Sequence, residues 1–197
     1  MPESRLSHTV ERNEYQWFPL QADRFGDFEQ LFGQNGACGG CWCMWWKQTG
    51  SEFKASKGES NRRLIQMYVK TNKIPGILLY DGKTPIGWCA VEPRSHYSRL
   101  DRSRILKPVD EHPVWSITCF FIEKTRRKQG VMSRLIDAAI EYVRSQDGDI
   151  VEAYPIDPLK RTADAFIYTG IASTFRQAGF EEVARRSDTR PIMRYVV

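Results

Sequence analysis

The chain has 197 residues, of which 41% are hydrophobic and 27% are charged, so it can bury the core of one globular domain but not of two large ones. Its net charge of +5 and isoelectric point of about 9.0 favour an anionic partner without distinguishing nucleic acid from an anionic cofactor. No apolar run approaches a membrane span and residues 1–12 are polar, so we expect a cytoplasmic protein without a membrane partner.

The first part of the chain predicts two helices. Apolar residues recur between acids over residues 18–32, which predicts a helix that ends at Gly33. A second amphipathic helix is predicted over residues 60–69, where Ser60 and Asn61 are candidate caps. We expect these helices and the segment between them to occupy residues 1–75, ahead of a core of about residues 76–197 in the same single domain.

Three cysteines fall in the segment CGGCWCMWW, which begins at Cys38. Thiolates at such spacing bind zinc, but a complete site usually has a second ligand pair, and no further C-x-x-C or H-x-x-x-H follows. Cys89 and Cys119 fall in predicted buried strands and are poor candidates to complete a tetrahedron. We therefore interpret Cys38, Cys41 and Cys43 as cysteines packed beside tryptophans, without a metal, and expect the tryptophan-rich loop to shape a pocket.

A hairpin and a long connection are predicted next. Apolar residues 76–80 and 86–91 predict two strands, and the Asp81-Gly82 pair between them is a strong hairpin signal. Residues 93–113 contain three prolines, many charges and no period. We expect an irregular connection there, of the kind that often carries function.

The most informative stretch follows this connection. Residues 114–122 are apolar apart from Ser116 and Thr118, which predicts a strand buried on both faces. A basic turn ends at Gly130, and from residue 131 apolar residues recur three and four apart, which predicts a helix. Unpaired N–H groups at a helix N-terminus attract anions, so the turn predicts phosphate or pyrophosphate binding. A solvated surface loop is the alternative.

The remaining residues complete a mixed sheet. Residues 149–156 predict a strand, residues 166–177 a short helix, and residues 182–185 and 192–197 a final pair of strands. A strand, helix and strand in succession imply a parallel crossover, whereas hairpins need antiparallel pairing. We expect an α/β (α+β) fold with a mixed central sheet and helices on both faces.

The basic turn RKQGVM contains neither G-x-x-x-x-G-K-[ST] nor G-x-G-x-x-G. It resembles the R/Q-x-x-G-x-G/A signature of the GNAT superfamily of acyl-CoA-dependent N-acetyltransferases. The hairpin with Ile86-Gly87-Trp88 and the later segment FRQAGF are similar to two further motifs of that family. Met132 departs from the small residue of the signature, and Phe175 stands where many relatives carry tyrosine. The resemblance extends roughly from residue 18 to the C-terminus.

This resemblance implies an acetyltransferase that uses acetyl-CoA as cosubstrate and no metal. In the family, the backbone of the central strand pairs with the pantetheine arm, and the turn that follows cradles the pyrophosphate. The residues implied to contact the coenzyme are Phe120, Phe121, Ile122, Arg127, Lys128, Gln129, Gly130, Val131, Met132, Ser133 and Phe175.

Direct attack by an amine needs a base and an acid. Glu152 is the leading base candidate because it is a carboxylate inside an apolar strand, where it either pairs with a cation or is poised to accept a proton. Since Phe175 cannot donate a proton, the candidate donors are Tyr154 and Ser173, then Tyr168, with water as the alternative. Asp157, Glu92 and His96 are further candidates for proton transfer.

The resemblance implies that the partners are coenzyme A and a small-molecule or peptide amine, whose identity the sequence does not determine. A homodimer is left open. A nucleic-acid-binding module is disfavoured, because acids are interspersed with the bases and no recognition motif is present. The stronger rival is a GNAT-like domain that binds acyl-CoA with weak or no transfer and acts as a sensor or binding module.

Overall fold

A computed structural model describes residues 15–158 and 167–197. Its strands, in chain order, are β1 Gln16–Pro19, β2 Gly76–Asp81, β3 Thr84–Pro93, β4 Trp115–Ile122, β5 Ile150–Ala153, β6 Glu181–Arg185 and β7 Pro191–Val196. Its helices are α1 Phe25–Phe32, α2 Gly50–Ser56, α3 Glu59–Lys70, α4 Ser98–Asp101, α5 Val131–Ser145 and α6 Ala172–Gln177. Among the described residues, no helix is long and apolar enough to cross a membrane.

The described strands form one mixed sheet in the order β1-β2-β3-β4-β5-β7-β6. Strands β4 and β5 are parallel, joined through α5, and the other neighbouring pairs in the described sheet are antiparallel. This confirms the predicted mixed α/β sheet of a single domain.

Helices cover both faces of the sheet, as predicted. Alternate residues of a strand point to opposite faces, so Ile77 and Leu79 of β2 pack with α5, whereas Leu78 and Tyr80 pack with α1 and α3. The hydrophobic face of α5 is completed by residues such as Leu135. The sheet is therefore the middle layer between two hydrophobic cores.

The first predicted helix is wrong in its N-terminal half. Phe18 and Pro19 lie in β1 and pair with Leu78 and Ile77, and α1 begins only at Phe25. A short edge strand of this kind depends on a partner strand some sixty residues away, which leaves no local period. Helix α3, the hairpin β2–β3, strand β4 and helix α5 agree closely with their predictions.

Strand β5 is shorter than predicted. It ends at Ala153, and Pro155, which has no backbone N–H to extend a ladder, follows two residues later. The predicted helix over residues 166–177 begins in the described chain only at Ala172, and residue 166 lies outside the described residues. The predicted irregular connection contains one turn of helix, α4, and is otherwise without long elements.

Candidate functional site

The basic turn presents the N-terminus of α5. Gly130 precedes the helix with φ 77° and ψ 4°, a left-handed conformation that favours glycine, and its exposed side has no protein atom within 4 Å of an added Cβ. The first N–H groups of the helix have no partner within it, and the first helical turn holds no acid. The turn therefore has the features of an anion-binding helix start.

The cations of the turn have different partners. Arg126 forms an ion pair with Asp81 at 2.8 Å, at the tip of the β2–β3 hairpin. Arg127 donates from Nε to the carbonyl oxygen of Ile122, the last residue of β4. Lys128 is exposed and has a left-handed φ of 61°. The side chains thus tie the turn to the end of β4 and to the hairpin.

Strands β4 and β5 separate beyond their first three residue pairs. Their register runs from Trp115 with Val151 to Ile117 with Ala153 and stops there, while β4 continues to Ile122. Beyond this point the backbone N–H of Phe120 donates to the carbonyl oxygen of Tyr168 at 2.6 Å. A segment from the second half of the chain therefore borders β4 where β5 has left it.

The three strand residues implied to meet the coenzyme are not equivalent. Phe120 directs its N–H toward Tyr168, whereas the N–H of Glu123 donates to Ile86 on β3, on the opposite side of the strand. Since backbone groups alternate in direction along a strand, Ile122 shares the side of Phe120, and Phe121 faces β3. The backbone groups at the open edge of β4 are thus those of Phe120 and Ile122.

A cavity of about 440 Å³ lies beside Tyr168. One wall comes from the end of the cysteine- and tryptophan-rich segment and consists of Trp45, Trp46 and Gln48. The other walls include Arg99, from the long connection before β4, and Arg190, from the turn between β6 and β7. Its volume is in the range of small-molecule sites.

Glu152 and Tyr154 lie in a closed polar cluster. Both are 0% exposed, and the Tyr154 hydroxyl donates to Glu152 Oε1 at 2.6 Å and accepts from Arg94 Nη1 at 2.7 Å. Ser116 lies 2.8 Å from the same hydroxyl, and Arg194 Nε donates to Glu152 Oε2 at 2.8 Å. Of the two roles that the sequence left open for Glu152, the structure shows pairing with cations.

The three candidate proton donors have different surroundings. Burial raises the pKa of the Tyr154 phenol, which is enclosed by its polar partners. Ser173 is exposed on the surface of α6. Tyr168 is half-buried and lines the cavity, and burial raises the pKa of its phenol as well. Tyr168 is therefore the candidate that the structure brings to the cavity and the open edge of β4.

Phe175 is a core residue. It is 0% exposed, and its ring centroid lies 6.0 Å from that of Phe120 and 5.0 Å from that of Phe180. A Cβ added to Gly170 would lie 2.6 Å from the Phe175 ring. Its ring therefore fills a tight apolar space beneath the open strand edge.

The remaining proton-transfer candidates are engaged in ion pairs. Asp157 accepts from Arg176 and Arg185, and these hydrogen bonds hold the pKa of its carboxyl below the usual value. Glu92 is buried and contacts Lys47, the Tyr68 hydroxyl at 2.5 Å and His96 Nδ1 at 3.0 Å. Lys47 was not identified from the sequence, where it appears only as the residue after the tryptophan run.

The cysteine- and tryptophan-rich segment divides between core and cavity. Trp42 stacks on Phe32 with ring centroids 5.8 Å apart, and Trp88 Nε1 donates to the buried Cys43 Sγ at 3.1 Å. Cys38 is exposed and Cys41 half-buried, both as free thiols. Within the described residues, no group of three or more His, Cys, Asp or Glu side chains is arranged to hold a metal.

Residues 42–166, more than half of the chain, match the family model for the Acetyltransferase (GNAT) family. The chain belongs to the GNAT family of acetyltransferases. The match includes β2 to β5, the basic turn and the tryptophans that line the cavity. No curated protein sequence matches the chain.

Solved GNAT structures share the fold at low sequence identity. An acetyltransferase of the family from Listeria monocytogenes 4b F2365 is similar with a TM-score of 0.56 and 6% identity, covering 93% of this chain and 95% of that one. The ribosomal-protein-S5-alanine acetyltransferase from Vibrio fischeri gives 0.53 and 16%, with 95% of each chain covered. The PaiA N-acetyltransferase from Thermoplasma acidophilum, solved with coenzyme A, gives 0.52 and 9%, with 93% and 99% covered.

The two departures from the GNAT motifs have structural explanations in this chain. Met132 is half-buried and packs against the hydrophobic core on the α5 face, so its side chain is accommodated within the protein. Phe175 stands at the position where many relatives carry tyrosine, and here its ring packs in an aromatic cluster with Phe120 and Phe180.

Proposed function

We propose that this GNAT protein transfers the acetyl group of acetyl-CoA to a primary amine by direct attack. The observation that carries the proposal is the arrangement along β4. The strand leads at its end into an anion-binding helix start, and its open edge touches Tyr168, which lines the cavity. A ligand that extends along this edge from the turn reaches the cavity. The fold shared with a structure that contains coenzyme A supports this placement.

The proposed coenzyme site uses the backbone more than side chains. The N–H groups from Lys128 through Ser133, which include those of Gln129, Gly130, Val131 and Met132, surround the pyrophosphate, with Arg127 and Lys128 adding charge. Phe120 and Ile122 pair with the pantetheine arm. Phe121 packs against Phe32 on one face of the sheet, and Phe175 packs against Phe120 on the other. Pairing at Phe120 requires its N–H to exchange the Tyr168 carbonyl oxygen for a coenzyme oxygen.

The proposed reaction uses Tyr168 as the positioned acid and water in the cavity as the base. The amine nitrogen attacks the acetyl carbonyl carbon, the C–S bond breaks, and the leaving thiolate takes a proton from the Tyr168 hydroxyl. Because burial raises the pKa of that phenol, it remains protonated at neutral pH. The proton lost by the amine restores Tyr168 through water in the cavity. Glu152 and Tyr154 hold the strands in place, and we give Ser173 no role in proton transfer.

A second candidate function is binding of acyl-CoA without efficient transfer. It is favoured by the Phe120–Tyr168 hydrogen bond, which occupies the open strand edge, and by the absence of a hydroxyl at Phe175. Thiol release from acetyl-CoA with a panel of primary amines, measured beside calorimetric binding of acetyl-CoA, separates the two functions. Binding without amine-dependent thiol release would leave only the binding module.

The coenzyme site is tested most directly by Gly130→Val. No protein atom lies within 4 Å of a Cβ added at Gly130, so we expect the valine side chain to be tolerated by its neighbours while it blocks the approach of the pyrophosphate. We expect calorimetric affinity for acetyl-CoA to fall at least about 100-fold, the loss of two or more charge-assisted hydrogen bonds. The left-handed backbone adds a stability cost of about 1–2 kcal/mol.

Gly39→Val is the matched control for the backbone strain that valine causes at a left-handed glycine. Gly39 also has left-handed angles, φ 59° and ψ 35°, and no protein atom within 4 Å of an added Cβ, but it belongs to the cysteine-rich segment. We expect comparable destabilisation with unchanged acetyl-CoA affinity. Equal affinity in both variants and the wild type would remove the turn from the coenzyme site.

A further inference from the structure

The described residues that line the cavity beside Tyr168 include cations but no acid. Arg99, Arg102 and Arg190 all contribute to its walls, and none of its described lining residues is Asp or Glu. Three guanidinium groups around one small volume make its potential positive. Such a site favours an anionic group and disfavours a ligand that carries only positive charge.

Two of these guanidinium groups are held by neutral oxygens. Arg99 Nε donates to the carbonyl oxygens of Trp45 and Gln48, and its guanidinium lies 3.7 Å from the Trp45 ring centroid. Arg190 Nη1 donates to the carbonyl oxygen of Tyr154 and to Thr169 Oγ1. These contacts fix the orientation of both groups, and within residues 15–158 and 167–197 neither guanidinium is hydrogen-bonded to a carboxylate.

Three buried polar atoms on residues that line the cavity have no hydrogen-bond partner in the described part of the chain. They are the donors Trp46 Nε1 and Arg99 Nη2 and the acceptor Gln48 Oε1, on residues of which Trp46 is 6% and Gln48 7% exposed. Buried polar groups in folded proteins are nearly always paired, because an unpaired group loses its hydrogen bonds to water. The residues that line the cavity therefore offer two donors and one acceptor that a ligand with complementary groups can pair with.

We propose that the acceptor of the transferase reaction is a primary amine that also carries a carboxylate and an apolar body, such as a free α-amino acid with an apolar side chain. This inference rests on the acetyltransferase function proposed above. The carboxylate pairs with Arg99 and Trp46 Nε1, and an amine N–H donates to Gln48 Oε1. Ile105 and Leu106, which also line the cavity, provide an apolar wall.

A set of matched acceptors tests this proposal. Thiol release from acetyl-CoA is measured with L-leucine, L-methionine and L-phenylalanine, and with the amide of each, in which a neutral carboxamide replaces the carboxylate. We expect at least one of the acids to have a kcat/KM about 10- to 100-fold above that of its own amide, the range for hydrogen bonds to a charged group. Spermidine, a polycation, should be a poor acceptor. A preference for O-phosphoethanolamine over every carboxylate amine would show that the site takes phosphate instead.

Single substitutions locate the preference in the cavity. Trp46→Phe removes the indole N–H while keeping an aromatic ring, and Arg102→Gln removes one charge. Trp46→Phe should reduce the acid-to-amide ratio by about tenfold, the effect of one hydrogen bond to a carboxylate. Arg102→Gln should reduce it by a smaller factor of about 2 to 5, because Arg102 is exposed and adds to the positive potential of the cavity without pairing with the carboxylate. Arg104→Gln is the matched control, because Arg104 is exposed in the same connection and does not line the cavity. The Arg104→Gln variant should have the same acid-to-amide ratio of kcat/KM as the wild type.

A binding measurement separates this inference from the transferase proposal. Calorimetry with the protein saturated in coenzyme A reports binding of the three amino acids without turnover. Binding that is weakened in Arg102→Gln but not in Arg104→Gln, without any acetylation, would support the carboxylate site and overturn the transferase. Efficient acetylation of the amides or of spermidine at the expense of the acids would overturn the carboxylate site and leave the transferase standing. The carboxylate site would also be overturned if the amino acids neither bind in calorimetry nor react faster than their amides.

Discussion

Tyr168 combines access to the cavity with attachment to the central strand. Tyr168 is one of the residues that line the cavity, and its carbonyl oxygen accepts a hydrogen bond from the N–H of Phe120. Tyr168→Phe keeps the backbone contact and the ring but removes the hydroxyl. We expect kcat with the best acceptor to fall about 10²-fold, the lower range for loss of a general acid, while calorimetric affinity for acetyl-CoA stays unchanged.

Tyr154→Phe is the contrasting variant for this prediction. It removes a hydroxyl that Arg94, Ser116 and Glu152 surround in the buried cluster. Stability should fall by about 1–3 kcal/mol because these partners lose a hydrogen bond, and kcat should stay near the wild-type value at temperatures where the variant is folded. A larger loss of kcat in Tyr154→Phe than in Tyr168→Phe would reverse the assignment.

Phe175→Tyr tests whether the family hydroxyl can be restored. The ring is fully buried among Phe120, Phe180 and Gly170, so an added hydroxyl enters apolar surroundings. We expect a loss of about 1–3 kcal/mol in the free energy of unfolding for an unpaired buried polar group, and no increase in turnover. Denaturant unfolding and thiol release measure both quantities. Higher turnover at unchanged stability would show that the hydroxyl reaches the leaving thiolate.

At the scale of elements, the buried cluster joins four parts of the fold. Glu152 on β5 binds Arg94 directly after β3 and Arg194 on β7, while Tyr154 connects it to Ser116 on β4. The guanidinium groups of Arg94 and Arg194 compensate the charge of the buried Glu152 carboxylate. The cluster therefore fixes β5 at the point where it separates from β4.

Glu152→Gln should for this reason be a stability variant. The substitution removes the buried anion that Arg94 and Arg194 share. We expect the free energy of unfolding to fall by about 3–5 kcal/mol, the usual effect of breaking a buried ion pair. The measurement is denaturant unfolding, with Asp110→Asn as control, since Asp110 is the outer partner of Arg194 and its loss should matter much less. A stable Glu152→Gln protein with greatly reduced kcat would instead support Glu152 as the catalytic base.

At the scale of the whole molecule, the net charge of +5 matches a function directed at anions. We expect acetyl-CoA affinity to fall several-fold as salt rises from roughly 0.1 to 1 M, because the Debye length shrinks from about 10 Å to about 3 Å. Calorimetry across this range measures the effect. Acetylpantetheine, which lacks the nucleotide phosphates, is the control and should bind without this dependence. A salt-independent affinity for acetyl-CoA would contradict charge-assisted binding at the turn.

The elements with a strong local period were predictable. Helices α3 and α5 each have an apolar face, and β2, β3 and β4 are continuous apolar runs. Each of these elements can therefore be recognised from its own consecutive residues. Strand β1 and the early end of β5 were not predictable, because pairing with Leu78 and the loss of pairing beyond Ala153 are set by distant strands.

Sequence alone predicts the family resemblance, the positive charge, and the strand, turn and helix that form the proposed coenzyme site. These follow from consecutive residues, whose local propensities act over a few positions. The tertiary structure alone decided which groups meet. It enclosed Glu152 and Tyr154 among cations, buried Phe175, and brought Trp46, Arg99 and Tyr168 to one cavity. Such contacts join residues far apart in the chain, and they depend on how the layers pack rather than on any local pattern.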